Sequence, residues 1–245
     1  MSTVAFHLQK GGVGKTTLSG TMAYEASQKG KTIIVDCDPQ GNASSWFLTQ
    51  FEYELSEVLN GKVYVKDAIV PLIPNLDILP TFGLEGDLKI YGETKLHQEP
   101  FNFCDLFDEL IQIGYKYVIA DLSPGMGQLE KAVLIACDKV ITPMTPEYFS
   151  LDGIEIFNSE LKKLKKVMRK APIHDTLVLN AFDARIKQHN EVADAIKNLN
   201  YNVVTIPVEP VFRKAQATHV CPQIYDGMKP VTEQAIHKIG ALLWQ

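Results

Sequence analysis

Near the start of the chain, Gln9, Lys10, Gly11, Gly12, Val13, Gly14, Lys15, Thr16 and Thr17 stand in an order suited to holding phosphate. Glycines lack a Cβ, so this stretch can take positive φ and turn successive amide N–H groups toward phosphate oxygens. Lys15 is placed to reach β and γ phosphates, and the Thr16 hydroxyl to ligate Mg²⁺. Two further acids, Asp36 and Asp38, stand two residues apart, and Asp121 ends a short apolar run. Beside a triphosphate, the first two suit magnesium coordination through water and the positioning of an attacking water. Asp121 suits holding the magnesium water shell. Phosphate-bond hydrolysis assisted by Mg²⁺ is the chemistry these residue types fit.

Such groups need a scaffold that brings them to one edge. Residues 4–8 read as a strand and 16–27 as a helix, so the glycine stretch sits at a strand-to-helix turn, the context the motif requires. Residues 31–35 are short, β-branched and ended by turn residues, as a buried parallel strand is; it delivers residues 36–42 to the carboxyl edge, where open α/β sheets bind ligands. Further strands are expected at 76–80, 117–121, 139–142, 176–181 and 201–206. Helices are expected at 44–50, 55–60 and 103–113, at 150–170 with Ser150 as its cap, and at 232–244 as a packed closing helix. The polar stretch 84–99, broken by Gly86 and Gly92, reads as a mobile excursion. The pattern predicts one domain over residues 1–245, a three-layer α/β fold with a mostly parallel twisted sheet of about seven or eight strands.

The 245 residues are 46% hydrophobic and 22% charged, ordinary for a globular chain. No apolar run approaches a membrane span and no signal-peptide pattern opens the chain, so a cytoplasmic protein is expected. Cys37, Cys104, Cys137 and Cys221 include no C-x-x-C pair, which argues against a zinc site, a disulfide framework and an iron-sulfur carrier. The net charge of −5 is unevenly spread: residues 1–149 carry 11 cationic and 19 acidic side chains, and the rest carry 13 and 10. An acidic total can hide a basic face.

The glycine stretch departs from the plain phosphate-loop pattern, since Gln9 holds the first glycine position and Lys10 follows it. In this it resembles the deviant Walker A box, K-G-G-x-G-K-[ST], of the ParA/MinD superfamily of ATPases. Residues 36–42 are similar to that family's D-x-D-P-Q-G-N box, residues 121–127 to its D-x-P-P switch loop with Ser123 in place of the first proline, and residues 143–151 to its P-x-x-P-E-x-x-[AS]-L segment. The resemblance implies ATP and Mg²⁺ as cofactors, bound by residues 10–17 (Lys10, Gly11, Gly12, Val13, Gly14, Lys15, Thr16, Thr17), with Thr16, Asp36 and Asp121 serving the metal. It implies that Lys10 reaches the partner's nucleotide across a dimer, Lys15 acts in catalysis and Asp38 assists hydrolysis. Asn180 would read the adenine edge, and Pro207, Val208 and Pro210 would pack on the base. Residues 146–150 would belong to the subunit interface, and Arg185, Arg213 and Lys214 to a DNA-binding face.

The same resemblance implies a weak, partner-stimulated ATPase that closes into an ATP-sandwich homodimer, coats nucleoid DNA without sequence preference and is released by a ParB-like adaptor. The alternative is a MinD-like switch bound to membrane, disfavoured because the last ten residues offer only His237 and Lys238 as a basic face. A nucleotide-locked adaptor that never hydrolyses is disfavoured by Asp38 with Asp121. At 100° per residue, Lys162, Lys163, Lys165, Lys166, Arg169 and Lys170 fall within an arc of about 160°, opposite Leu161, Leu164, Val167 and Met168. That cationic face suits either a solvated helix end or contact with DNA or membrane.

Overall fold

Strands β1 (Ser2–Phe6), β2 (Thr32–Cys37) and β5 (Tyr117–Leu122) form the centre of the sheet, and β2 and β5 are buried along all six of their residues. Both faces are covered, so these strands read as near-continuous apolar runs, not as alternation. Alternation survives in which face each side chain joins. Ile33, Val35, Val118 and Ala120 enter one core, while Ile34, Tyr117 and Ile119 enter the other. The structure, a computed structural model, describes residues 1–83 and 86–244.

Eight strands form one sheet in the order β3-β4-β2-β5-β1-β6-β7-β8, with β3 (Val70–Ile73), β4 (Leu76–Leu79), β6 (Lys139–Met144), β7 (Ile173–Phe182) and β8 (Asn202–Pro207). Among the described residues only β3 runs antiparallel, against β4, and periodicity alone does not separate it from the loop before it. Its short edge run carries Pro71 and half-buried residues, which give no clear alternation.

On one face lie α1 (Lys15–Ser27), α2 (Asn42–Phe47), α10 (Pro210–Ala217) and α11 (Pro230–Leu243). On the other lie α3 (Leu55–Leu59), α4 (Val65–Ala68), α5 (Leu88–Thr94), α6 (Asn102–Gln112), α7 (Gln128–Ala136) and α8 (Phe149–Met168). Helix α9 (Lys187–Lys197) buries Val192 and Ile196 with Leu177 and Leu179 in a smaller cluster at the β7 end. Helix α11 packs Ala235, Ile236, Ile239 and Leu243 into the core, as a closing helix should.

Four local expectations are corrected. The 84–99 stretch holds a helix, α5, because Gly92 allows it to press on α7: a Cβ there would stand 3.1 Å from the Leu129 Cβ. Leu84 and Glu85 of that stretch lie outside the described residues. Ser150 does not cap α8; it lies buried inside the first turn with its hydroxyl toward Lys10. Lys170 lies beyond the helix, since Arg169 takes φ 58° and ends it. Val167, assigned to the apolar side, is 76% exposed, because none of the described residues covers it at the last turn of α8.

Candidate functional site

The glycine stretch joins β1 to α1 at the carboxyl edge of the sheet. Gly14 precedes α1 with φ 96°, and a Cβ on it would lie 2.3 Å from the Asn180 Nδ2. Only glycine satisfies both demands. Asn180 Nδ2 donates to the Val13 carbonyl at 3.0 Å, so the end of β7 clamps the loop. Ala181 follows with φ 55°, a costly conformation for alanine, held as its N–H donates to Asn180 Oδ1 at 2.9 Å.

Lys15 is buried, and its ammonium donates to the Lys10 carbonyl at 2.9 Å and the Leu8 carbonyl at 3.4 Å. Burial lowers its pKa, opposed by the charges of Asp121 and Asp38. The cation thus lies inside its own loop, bonded to backbone carbonyls. Lys10 behaves differently. Its Nζ reaches Glu147 Oε2 at 2.5 Å and the hydroxyls of Thr145 and Ser150 at 3.3 Å each. The lysine expected to reach a partner's nucleotide is therefore held by the very segment expected at the interface, where Tyr148 is 51% and Phe149 81% exposed.

The three acids converge by sheet register. Asp36 on β2 is paired with Asp121 on β5, which is in turn paired with Phe6 at the end of β1. Asp121 Oδ1 accepts from Ser19 Oγ at 2.7 Å, but its buried Oδ2 has no hydrogen-bond partner among the described residues. Asp36 accepts from the Ser44 hydroxyl at 2.6 Å and the Ser44 amide at 2.7 Å. Burial first, and mutual repulsion after it for Asp36, push both carboxyls well above the usual range, partly offset by the hydroxyls around them. An orphaned carboxylate oxygen beside Thr16 and Lys15 fits a divalent cation. No group of three or more His, Cys, Asp or Glu among the described residues could cage one alone, so phosphate oxygens and water must complete its shell, as magnesium sites usually require. Asp38 is buried with Oδ1 accepting from the Gln40 amide and Oδ2 from Asn42 Nδ2, both at 2.9 Å.

Two cavities flank this edge. One of about 530 Å³ brings Gly12 and Thr17 of the phosphate loop together with Asn180, Pro207, Val208 and Pro210, the adenine-side residues expected from sequence. Arg213, expected on a DNA face, lines this cavity too. Its wall is fixed by two residues that sequence reasoning misses. Gln216 of α10 donates to Thr17 Oγ1 at 3.0 Å. Glu209, buried ahead of Pro210, caps α10 and accepts from the Lys229 amide at 3.1 Å and Thr232 Oγ1 at 2.9 Å. An acid directly before a helix-opening proline was the available signal. The other cavity, about 580 Å³, is lined by Asp38, Gln40, Lys89, His97 and the loop 123–127. Ser123, the departure from D-x-P-P, has work a proline could not do. Its Oγ accepts from the Gly125 amide at 3.1 Å and donates to Glu130 Oε1 at 2.5 Å, while Glu130 Oε2 takes the Gly127 amide at 2.7 Å. Arg185 stands apart, 88% exposed at its side chain and ion-paired with Asp183 at 2.6 Å. Lys214 lies 4.5 Å from the Tyr225 ring centroid.

A parallel sheet with a lysine-bearing glycine loop at its carboxyl edge, and a strand-end aspartate beside it, defines a P-loop nucleoside triphosphatase. Comparison with known proteins narrows the class. A family described as an AAA domain matches residues 1–173. The uncharacterized protein BBD21 of Borreliella burgdorferi is 35% identical over 219 residues, 88% of this chain and 89% of that protein. Sporulation initiation inhibitor protein Soj of Bacillus subtilis is 30% identical over 205 residues, 79% and 78% of the two chains. The crystal structure of a putative plasmid partition protein from Borrelia burgdorferi B31, bound to AMPPNP, shares the fold with a TM-score of 0.82 at 22% identity, over 98% of each chain. The chain belongs to the ParA/MinD superfamily, with ParA/Soj partition proteins as its relatives. It is an ATP hydrolase of the ParA/Soj kind.

Proposed function

We propose that this chain is a magnesium-dependent ATP switch that closes into an ATP-sandwich homodimer, binds DNA without sequence preference, and drives plasmid or chromosome partition, or the positioning of another cargo, under an adaptor of the ParB type. The observation that carries the reading is Lys10. A plain phosphate loop has no use for it, and it rests on a segment whose Tyr148 and Phe149 lie open to solvent. Magnesium held through Thr16 and Asp121, with Asp36 behind, would supply charge neutralisation at the β and γ phosphates. Lys15 would follow the phosphates, and Asp38, fixed by Gln40 and Asn42, would orient the attacking water. Loss of the γ-phosphate would be felt at the loop 123–127, which Ser123 and Glu130 tie to α7. Asn180 would leave its bond to Val13 to read adenine, with Pro207, Val208 and Pro210 against the base.

Arg185, Arg213 and Lys214 are exposed around the β7 and β8 end, which supports a phosphate-facing surface there. Retention of the protein on random-sequence DNA and on anionic liposomes, with and without ATP and magnesium, tests the reading. Retention on DNA that requires both ATP and magnesium is expected. Retention on liposomes alone replaces it with membrane binding of the MinD type.

A further inference from the structure

His7 follows the last residue of β1, within a stretch otherwise apolar, and it is fully buried. Its backbone is locked: the amide donates to the Ile141 carbonyl at 3.0 Å, and the carbonyl accepts from Thr142 Oγ1, also at 3.0 Å. Its ring is not. Neither nitrogen has a hydrogen-bond partner among the described residues, and the nearest ring is that of Phe157 in α8, 5.0 Å away. A leucine or phenylalanine would fill such a place with less loss, since each unpaired nitrogen forfeits the hydrogen bond it makes to water. A polar group kept in the core at that disadvantage points to an arrangement in which it is paired.

Its place in the sheet says with what. Phe6 is paired with Asp121, so His7 stands level with the end of β5, where the chain leaves the sheet as the loop 123–127. Side chains alternate along β1: Ala5 joins the core under α7 and α8 and Phe6 joins the other. His7 therefore points to the α7 side, where Glu130 holds Ser123. The Ser123 backbone is close enough to favour a protonated ring, but burial, together with the Lys15 charge, outweighs it and holds the pKa at about 3. The imidazole is neutral near pH 7, with one N–H to give and one lone pair to receive.

We propose that His7 is a positioning residue for ATP hydrolysis: as the loop 123–127 closes on the γ-phosphate, the Ser123 carbonyl settles on a ring N–H of His7, and that bond fixes the loop for turnover. The ring cannot travel to the loop, because its strand is paired on both sides. The loop, with Gly125 and Gly127, can travel to the ring. Lys15 offers no partner, since its ammonium already donates to the Leu8 and Lys10 carbonyls. A neutral ring of this kind moves no proton; it acts through the loop. The proposal rests on the reading of 123–127 as the element that answers to the γ-phosphate.

The test uses the full chain as wild type, His7→Leu, His7→Phe, His7→Asn and His7→Gln. The first two variants remove both nitrogens at different volumes, and the amides return an N–H near Nδ1 or near Nε2. Without nucleotide, at least one of His7→Leu and His7→Phe should melt higher than the wild type, because the unpaired nitrogens are gone. Their ATP affinity in calorimetry should stay within about threefold, while hydrolysis at saturating ATP falls about five- to tenfold, the worth of one hydrogen bond made on the way to the transition state. One of the two amide variants should recover most of that rate. Hydrogen exchange at 123–127 should be slower with AMPPNP than with ADP in the wild type, and alike with both in His7→Leu.

Wild-type turnover in His7→Leu and His7→Phe overturns the proposal. Lower melting in both makes His7 a structural residue and overturns it as well, as do two amide variants no faster than His7→Leu. Wild-type exchange that does not tell AMPPNP from ADP overturns the reading of the loop itself, whereas a difference that persists in His7→Leu overturns only the part given to His7.

Discussion

Lys10 and Lys15 sit five residues apart and are expected to fail differently. Lys15→Ala removes the buried cation of the cradle, so ATP affinity measured by calorimetry should fall by two orders of magnitude or more, about 2.7 kcal/mol. Lys10→Ala should leave monomer affinity within about threefold while abolishing the ATP-dependent doubling of mass in light scattering. Glu147→Gln weakens the hold on Lys10 and should lower the ATP concentration at which the dimer appears. Asp121 gives a further test at this scale. Its buried Oδ2 lacks a partner among the described residues, so Asp121→Asn, which keeps the Ser19 bond, should raise the melting temperature without nucleotide and erase the extra stabilisation by ATP with magnesium over ATP alone.

At the scale of elements, the base side of the site is built by α10 and its cap. Glu209 joins α10 to the start of α11 through Val211, Lys229 and Thr232, and Gln216 joins α10 to Thr17. Glu209→Ala strands two donors and removes a cap, a loss of about 1–3 kcal/mol in chemical denaturation. Gln216→Ala, on a half-buried side chain, should cost stability little and weaken nucleotide binding by less than about tenfold, because only the bond to Thr17 is lost. The opposite ordering of the two effects would show that α10 is held by its packing and not by its cap. The strand-end acids were legible in sequence because each follows an apolar run. Glu209 and Gln216 were not, since their partners lie 20 and 199 residues away.

For the whole molecule, two histidines, His7 buried and His174 half-buried, weigh against the fold as pH falls. His7 has neither ring nitrogen hydrogen-bonded among the described residues and packs 5.0 Å from Phe157, and burial holds its pKa down at about 3. His174, bonded to Thr142 and Asn158, is held down at about 4, also chiefly by burial. The unfolded chain takes up these protons from pH 6.5 downward while the folded chain refuses them. The stability they contribute is complete above pH 6.5 and falls as pH drops toward about 4, by up to about 1.4 kcal/mol per pH unit for each ring. Asp36 and Asp121, whose carboxyls hold their protons to higher pH in the fold than in the unfolded chain, act in the opposite sense over the same range, so the histidine contribution is read as a difference: the denaturation midpoint of His7→Leu should depend on pH with a slope shifted from the wild type's by up to about 1.4 kcal/mol per pH unit. DNA binding belongs to this scale too. Because Arg213 also lines the base-side cavity, Arg185→Ala with Lys214→Ala is the cleaner pair. It should weaken ATP-dependent DNA retention and flatten its salt dependence by about one unit per lost contact, with dimerisation intact.

The amino-acid sequence by itself determined the phosphate loop, seven of the eight strands, and the acids at 36, 38 and 121. Each depends on neighbours in the chain: glycine torsions, a β-branched run, a turn after it. Tertiary structure decided the rest, because the deciding contacts are long-range. It set Asp36 beside Asp121 by register, clamped Gly14 under Asn180, held Lys10 against Glu147, and turned the polar stretch before residue 100 into a helix once Leu129 was there to meet Gly92. It also left Val167 in solvent, where helical periodicity alone would have buried it, since a wheel says which way a side chain points and not whether anything stands there.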